Sequence, residues 1–268
     1  MGAIPVRILL LNRVYVVLVV GLLSLLGLSW LASVDGGTIL TWAASERLLP
    51  IYSVDTTEKK VALSFDAAWG AQYTPLLLET LEKHDIKTTF FLVGFWIEEY
   101  PDVLRAIAAK GHEIGNHTAN HPHLNDCSAE QIRQELLTVH EQIKEITGQE
   151  ARLFRPPFGE YSNKVIEVAA ALGYHTIQWS VDSLDWRDLS AEEIRRRVVS
   201  RIHPGAIVLF HNNGLHTAAA LEPIINDLTA MGYQIVPISE LLWPGEYRVD
   251  HQGRQIPVGP QHKFLPSR

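Results

Sequence analysis

Between Lys60 and Ile238 the apolar positions follow two periods in turn. Short runs rich in β-branched and aromatic residues, closed by polar residues, glycine or proline, read as buried strands. These are Lys60–Ala67, Thr88–Phe95, His112–His117, Arg152–Pro156, His175–Val181, Ala206–His211 and Tyr233–Ile238. The stretches between them repeat apolar residues every three to four positions and read as helices. Thr74–His84 carries Leu76, Leu77, Leu78 and Leu81, and Pro101–Lys110 is stopped by Gly111. The sequence Ser128-Ala-Glu-Gln131 is a capping box that opens a long helix through Ile146, closed by Gly148, and Ser190-Ala-Glu-Glu193 opens another as far as His203. Asn163–Leu172 and Thr217–Met231 complete the set.

This alternation amounts to about seven β/α units, and short helical crossovers imply a parallel sheet covered by helices. A closed or nearly closed, distorted (β/α)7-type barrel fits the count; an open doubly wound sheet is the alternative. The N-terminus follows another pattern. Val14–Ala32 runs without a charge and is long enough to cross a bilayer as a helix. Arg7 and Arg13 precede it and Asp35 is the first charge after it, so the positive-inside bias puts the body outside the cytoplasm. Trp30 and Leu31 occupy the positions that a signal-peptide cleavage site would need small, which favours an uncleaved membrane anchor. The expected organisation is a cytoplasmic stub and transmembrane anchor over residues 1–33, a linker or stalk over 34–57, an α/β domain over 58–245 and a polar tail over 246–268.

Composition narrows the chemistry. The 268-residue chain has a net charge of -7, with no basic run and no Gly-rich phosphate loop, which argues against a nucleic-acid partner. One cysteine, Cys127, excludes an internal disulfide framework and a multi-thiolate metal site. Reactive side chains instead collect at strand ends, which a parallel sheet gathers at one face. Asp66 closes the first strand in V-A-L-S-F-D-A-A-W-G (Val61–Gly70), and His117-Thr-Ala-Asn-His121 follows the third. In a helical turn these two imidazoles would project together, the spacing of paired metal ligands, although Pro122 limits such a turn and two unrelated loop histidines read equally well. His123 lies close by as a spare ligand. Arg155-Pro-Pro-Phe-Gly159 leaves its strand stiffly and presents a permanent cation that can hold a carboxylate ionised. Asp182-Ser-Leu-Asp185-Trp186 and Leu209-Phe-His211 end two further strands.

Together these segments resemble the polysaccharide deacetylase family, the NodB-homology carbohydrate esterases, over about 180 residues from Lys60 to Trp243. The motifs S-F-D, H-T-x-x-H-P-x-L, R-P-P-F-G, D-x-x-D-W and L-F-H occur in the family's order. Within it, the anchor, stalk and compact domain look like the sporulation-associated, membrane-anchored members. The resemblance implies a barrel of the NodB homology type and a hydrolase removing N-acetyl groups from N-acetylglucosamine or N-acetylmuramic acid units of cell-wall glycan such as peptidoglycan. It implies Asp66 as the base that activates water and Arg155 as the residue orienting it. His211 is implied as the acid, Asp185 as the carboxylate keeping it protonated, and His117 and His121 as ligands of a divalent metal such as zinc or cobalt. Phe158, Trp186 and Leu209 would hold the acetyl methyl and the sugar ring. That chemistry is self-consistent, since amide hydrolysis needs an activated water and a protonated amine leaving group. It also suits the absence of a G-x-S-x-G nucleophile elbow.

One position departs from the family. Ala67 stands where a second aspartate, a metal ligand, is the family's rule, so binding of a hard divalent ion should be weakened. Three readings follow: an active metal-dependent deacetylase with an altered site, an enzyme without a tightly held metal or acting on an unusual amide, and a catalytically silent relative that binds glycan or signals.

Overall fold

The computed structural model of the chain describes residues 15–24 and 47–258. The chain divides into two compact units, 1–46 and 47–268. In the first, residues 15–24 are helical; the rest of the expected span Val14–Ala32 lies outside the described residues. Among the described residues no helix is long and apolar enough to cross a membrane.

The second unit is built around strand β2 (Lys60–Ala67), seven of whose eight residues are buried. Successive side chains of a strand face opposite ways. Val61, Leu63, Phe65 and Ala67 therefore join the core under the helices, while Ala62 belongs to the inner core, and Ser64 and Asp66 share its face. Phe65 stacks on Phe90 at 5.1 Å and Phe210 at 5.5 Å, tying β2 to both its neighbours. On one side of β2 lie β3 (Thr89–Leu92), β4 (Glu113–Asn116), β5 (Leu153–Phe154) and β6 (His175–Thr176). On the other lie β8 (Ile207–His211) and then β7 (Val181–Asp182), and β9 (Gln234–Ile235) pairs with the start of β2. Every one of these pairings is parallel.

The expected barrel is realised as a half-barrel. The predicted strand His175–Val181 is split: β6 lies at one end of the sheet and β7 at the other. Ile177, Gln178, Trp179 and Ser180 span the gap between them. Ile51 seals it, donating its N–H to Thr176 and accepting from the Gln178 N–H at 2.7 Å, and it packs against Leu153 and Ile207 in the inner core.

Two boundaries therefore move. The segment from Ile51 was expected in the stalk, but β1 (Ser53–Val54) pairs with β11 (Arg254–Pro257), which pairs in turn with β10 (Tyr247–Val249). The strands β10 and β11 fall in the expected polar tail. Polarity misled there because Gln255 is buried as a bridge, its amide bonding the backbone N–H and carbonyl of Trp243. Both capping boxes form as read, Ser128 with Gln131 and Ser190 with Glu193, and the long helix Ala129–Thr147 ends on Gly148 at φ 74°. The predicted strand from Thr88 stops earlier, at Leu92, and turns directly into a short helix, Gly94–Glu99.

His112 gives this body an acid-sensitive point. It is buried edge-on against Phe90, and its Nδ1 accepts the Thr88 N–H at 3.3 Å, which leaves the proton on an Nε2 with no partner. Burial, with Lys87 and Lys110 nearby, pushes its pKa down to about 4. The unfolded chain titrates at the ordinary histidine value, so between there and pH 4 it binds the proton that the folded chain refuses. Stability is then complete at neutral pH and falls as pH drops through that window, by on the order of 1–3 kcal/mol. Urea midpoints measured from pH 7.5 to 4.5 should show a shallower acid-side decline for His112→Asn, which keeps an acceptor for Thr88 and cannot titrate.

Candidate active site

Register places the first pair of groups. Asp66 on β2 stands opposite His211 on β8 and opposite Phe91 on β3. In a parallel sheet such partners face the same way, so Asp66 and His211 rise side by side from the C-terminal edge. Arg155, immediately after β5, reaches beneath them. Its Nη1 donates to Asp66 Oδ1 at 2.6 Å, and its Nη2 donates to Ser64 Oγ at 2.8 Å, which in turn donates to the Val208 carbonyl. The guanidinium is wholly buried, 4.2 Å below the Phe91 ring centroid and 5.6 Å from that of Trp179. Pairing and the aromatic faces make that burial tolerable. For Asp66, burial alone would raise the pKa; the charge of Arg155 first, then that of His211, and the Arg155 hydrogen bond outweigh it and hold the carboxylate below its usual range.

His117 follows β4. Its Nδ1 donates to the Arg155 carbonyl at 2.7 Å, so in the neutral ring Nε2 carries a lone pair, 3.5 Å from Asp66 Oδ2. Burial lowers its pKa, and burial with the neighbouring His117 lowers that of His121 to about 4. No helical turn brings these histidines together. The loop instead uses two left-handed residues, Thr118 at φ 71° and His121 at φ 54°, and sets the rings edge to face at 5.0 Å. Buried Asn116 holds that shape. Its Oδ1 accepts the Thr118 N–H, and its Nδ2 donates to the Leu136 carbonyl and the Tyr174 hydroxyl. The N–H groups of Gly94 and Phe95 bind the Thr118 and Ala119 carbonyls from the other side. A Cβ at Gly94 would lie 2.9 Å from the Ala119 Cα, so that approach requires glycine.

His211 is set against a second, deeper carboxylate. Asp185 is fully buried and accepts three bonds: His211 Nδ1–H at 2.8 Å, the His211 backbone N–H at 2.7 Å and the Thr217 hydroxyl at 2.7 Å. Burial alone would lower the imidazole's pKa, but the hydrogen bond and charge of Asp185, with Asp66 and Asp182, raise it above the ordinary value.

These groups open into a cleft of about 460 Å³ lined by Asp66, His117, His121 and His211, with Phe158, Trp186 and Leu209 in its walls. Arg155 and Asp185 lie behind those walls. Phe158 sits at φ 59° in the stiff turn after Pro156 and Pro157, an uncommon backbone state for a bulky residue. Several participants escaped the sequence reading. Ser64, Asn116 and Thr217 act only through polar bonds that no spacing rule displays. Trp69, also in the cleft wall, sits in plain view within the Val61–Gly70 stretch.

The donor set does not fit a tightly chelated divalent ion. A separation of 3.5 Å between Asp66 Oδ2 and His117 Nε2 is too long for a hydrogen bond and about the span of two ligands on one tetrahedral ion. Asp66 is already engaged by Arg155, however, and Ala67 is buried in the outer core and offers nothing. His123, the spare candidate, is exposed, stacked on Phe158 and bonded to Glu160 at 3.0 Å. Among the described residues no three histidine, cysteine or acidic side chains converge as a metal site.

Comparison with known proteins agrees with this architecture. The polysaccharide deacetylase domain family matches residues 53–177. The chain is 36% identical over 193 residues to the YlxY protein of Bacillus subtilis, covering 72% of this chain and 60% of that one. It is 35% identical over 209 residues to the peptidoglycan-N-acetylmuramic acid deacetylase PdaA of the same organism, covering 76% of this chain and 79% of PdaA. Among solved structures, BA3943 of Bacillus anthracis, described as a pseudoenzyme of carbohydrate esterase family 4, superposes with a TM-score of 0.70 at 38% identity, covering 72% and 68% of the two chains. A mutant of that pseudoenzyme, described as having restored enzymatic activity, superposes equally well at 40% identity, covering 72% of this chain and 70% of that one. With its half-barrel, its ordered strand-end motifs and these relatives, the chain belongs to the polysaccharide deacetylase family.

Proposed function

We propose that the chain is a hydrolase that removes N-acetyl groups from N-acetylglucosamine or N-acetylmuramic acid units of cell-wall glycan, including wall material made during sporulation. The observation that carries this reading is a pair of oppositely tuned groups on adjacent register positions, Asp66 held anionic and His211 held cationic, both facing one cleft. Asp66 takes a proton from water as the water oxygen bonds to the acetyl carbonyl carbon. The tetrahedral adduct then collapses, the C–N bond breaks, and the His211 imidazolium gives its proton to the departing nitrogen. Acetic acid leaves, losing its proton to solvent as acetate, the free sugar amine departs, and the proton on Asp66 passes to His211, which restores both groups. Arg155 keeps Asp66 aimed and ionised, and Asp185 fixes the His211 tautomer so that Nε2 carries the proton to be delivered.

A second reading, a glycan binder without turnover, is favoured by Ala67 and by the likeness to a pseudoenzyme. We propose a membrane location as well, with the domain on the outer side. The uncharged run Val14–Ala32 behind Arg7 and Arg13 supports it.

Acetate release from N-acetylglucosamine oligomers and from peptidoglycan decides between the two readings. Under the hydrolytic reading kcat falls at least about 100-fold in Asp66→Asn and in His211→Ala, each of which removes one proton-transfer partner. Unchanged turnover in either variant would exclude the mechanism. The pH profile should be bell-shaped, rising as Asp66 ionises and falling as His211 loses its proton. In Asp185→Asn the upper limb should move to lower pH, because the charge that raises the His211 pKa is gone. Metal analysis of the purified protein should find well under one zinc per chain, and Ala67→Asp should raise both metal content and turnover. No gain in either would show that the missing carboxylate is not what limits the site. Protease added to intact spheroplasts should remove the domain while its N-terminal fragment stays with the membrane.

A further inference from the structure

Three aromatic side chains of the folded body, Trp69, Phe158 and Trp186, stand more than half exposed at 56%, 55% and 59%, and all three line the one cleft. They come from three loops far apart in sequence, after β2, β5 and β7. Large apolar faces left in water are informative when they gather in one place. Phe158 and Trp186 belong to the acetyl and sugar pocket already described; Trp69 is not needed there.

The backbone beneath Trp69 is fixed from two sides. The next residue, Gly70, turns left-handed at φ 62°, and its carbonyl accepts two hydrogen bonds at 2.7 Å. One comes from Trp96 Nε1 in the short helix Gly94–Glu99, the other from the Nδ2 of Asn212, the residue after His211. The loop is thus pinned to the strand that bears His211. The Trp69 ring meets His121 edge-on at 5.2 Å, and Phe158 meets His121 from another direction at 4.5 Å. Trp69 and Phe158 thus both abut His121 in the cleft wall, each with more than half of its surface in water. An exposed flat ring on a backbone so held suits the apolar face of a pyranose ring, whose axial C–H groups bury against it while the hydroxyls stay in water.

We propose that Trp69 is a substrate-binding residue for the sugar unit adjoining the one to be deacetylated, so that the cleft reads at least two consecutive N-acetylhexosamine units of a β-linked glycan. This rests on the cleft being a glycan site and is independent of whether the bound glycan is hydrolysed.

Calorimetric titration of the full chain with N-acetylglucosamine oligomers of one to four units, beside an acetate-release assay, tests it. The native protein should gain affinity from one unit to three or four. Trp69→Ala should weaken tetrasaccharide binding about 10-fold, Trp69→Phe should retain most of it, and Leu76→Ala, an exposed apolar residue outside the cleft, should change nothing. Thermal unfolding confirms that each variant is folded. Affinity that depends on length and on Trp69 without acetate release would sustain the inference and defeat the hydrolytic reading. Equal tetrasaccharide affinity in native protein and Trp69→Ala, no gain with length, or no oligomer binding at all would overturn it.

Discussion

The buried ion pair between Arg155 and Asp66 is the constraint on which the rest of the site depends. A guanidinium wholly removed from water persists only where its charge is met, and here one carboxylate, one hydroxyl and two aromatic faces meet it. Removing either partner would strand a buried charge, at a cost of about 3–5 kcal/mol. The pair also organises by backbone, because the Arg155 carbonyl accepts the Nδ1–H of His117. One residue thus aims the carboxylate with its side chain and the imidazole with its main chain. Prolines 156 and 157 then carry the chain off stiffly towards Phe158.

Against that anionic half stands a cationic one built by the same means in mirror image. Asp185 is buried as Arg155 is, receives three donors, and confers positive charge on His211 where Arg155 preserves negative charge on Asp66. Two carboxylates in one site thereby serve different ends, one facing the cleft and one behind it, a division set by surroundings rather than by residue type. The weak point is the third element. His117 and His121 are both neutral and well placed, but Ala67 leaves them without an anionic companion of their own.

Much of this was legible in the sequence because strand ends are legible. Apolar runs closing on Asp66, Arg155 and His211 identify residues that a parallel sheet must bring to one edge, and the capping boxes at Ser128 and Ser190 locate two helices. What stayed hidden depends on geometry that periodicity does not encode. His175–Val181 has strand composition throughout, yet the sheet is interrupted between Thr176 and Val181, and there the chain finds its main new partner in Ile51, from a stretch that reads as linker. The histidine loop adopts left-handed turns at Thr118 and His121, where spacing left a helical turn and two unrelated loop histidines equally open. Polar Gln255 and the short Ile51–Val54 stretch look like linker and tail until tertiary pairing buries them. Trp69 stands in plain view, but one tryptophan beyond a strand has no meaning until its exposure is known.

The seal at Ile51 has a consequence for how the body is made. Ser53 pairs with Arg254, about two hundred residues further along, so the segment that seals the gap is held along its other edge by the end of the folded body. Ile51 can seal the gap once Thr176 and Gln178 are made, but the outer edge of that segment stays unpaired until the last strand is made. A chain that emerges from its N-terminus onward therefore carries an unpaired strand edge at Ser53–Val54 until its last folded residues appear, a site at which a second copy could pair in error.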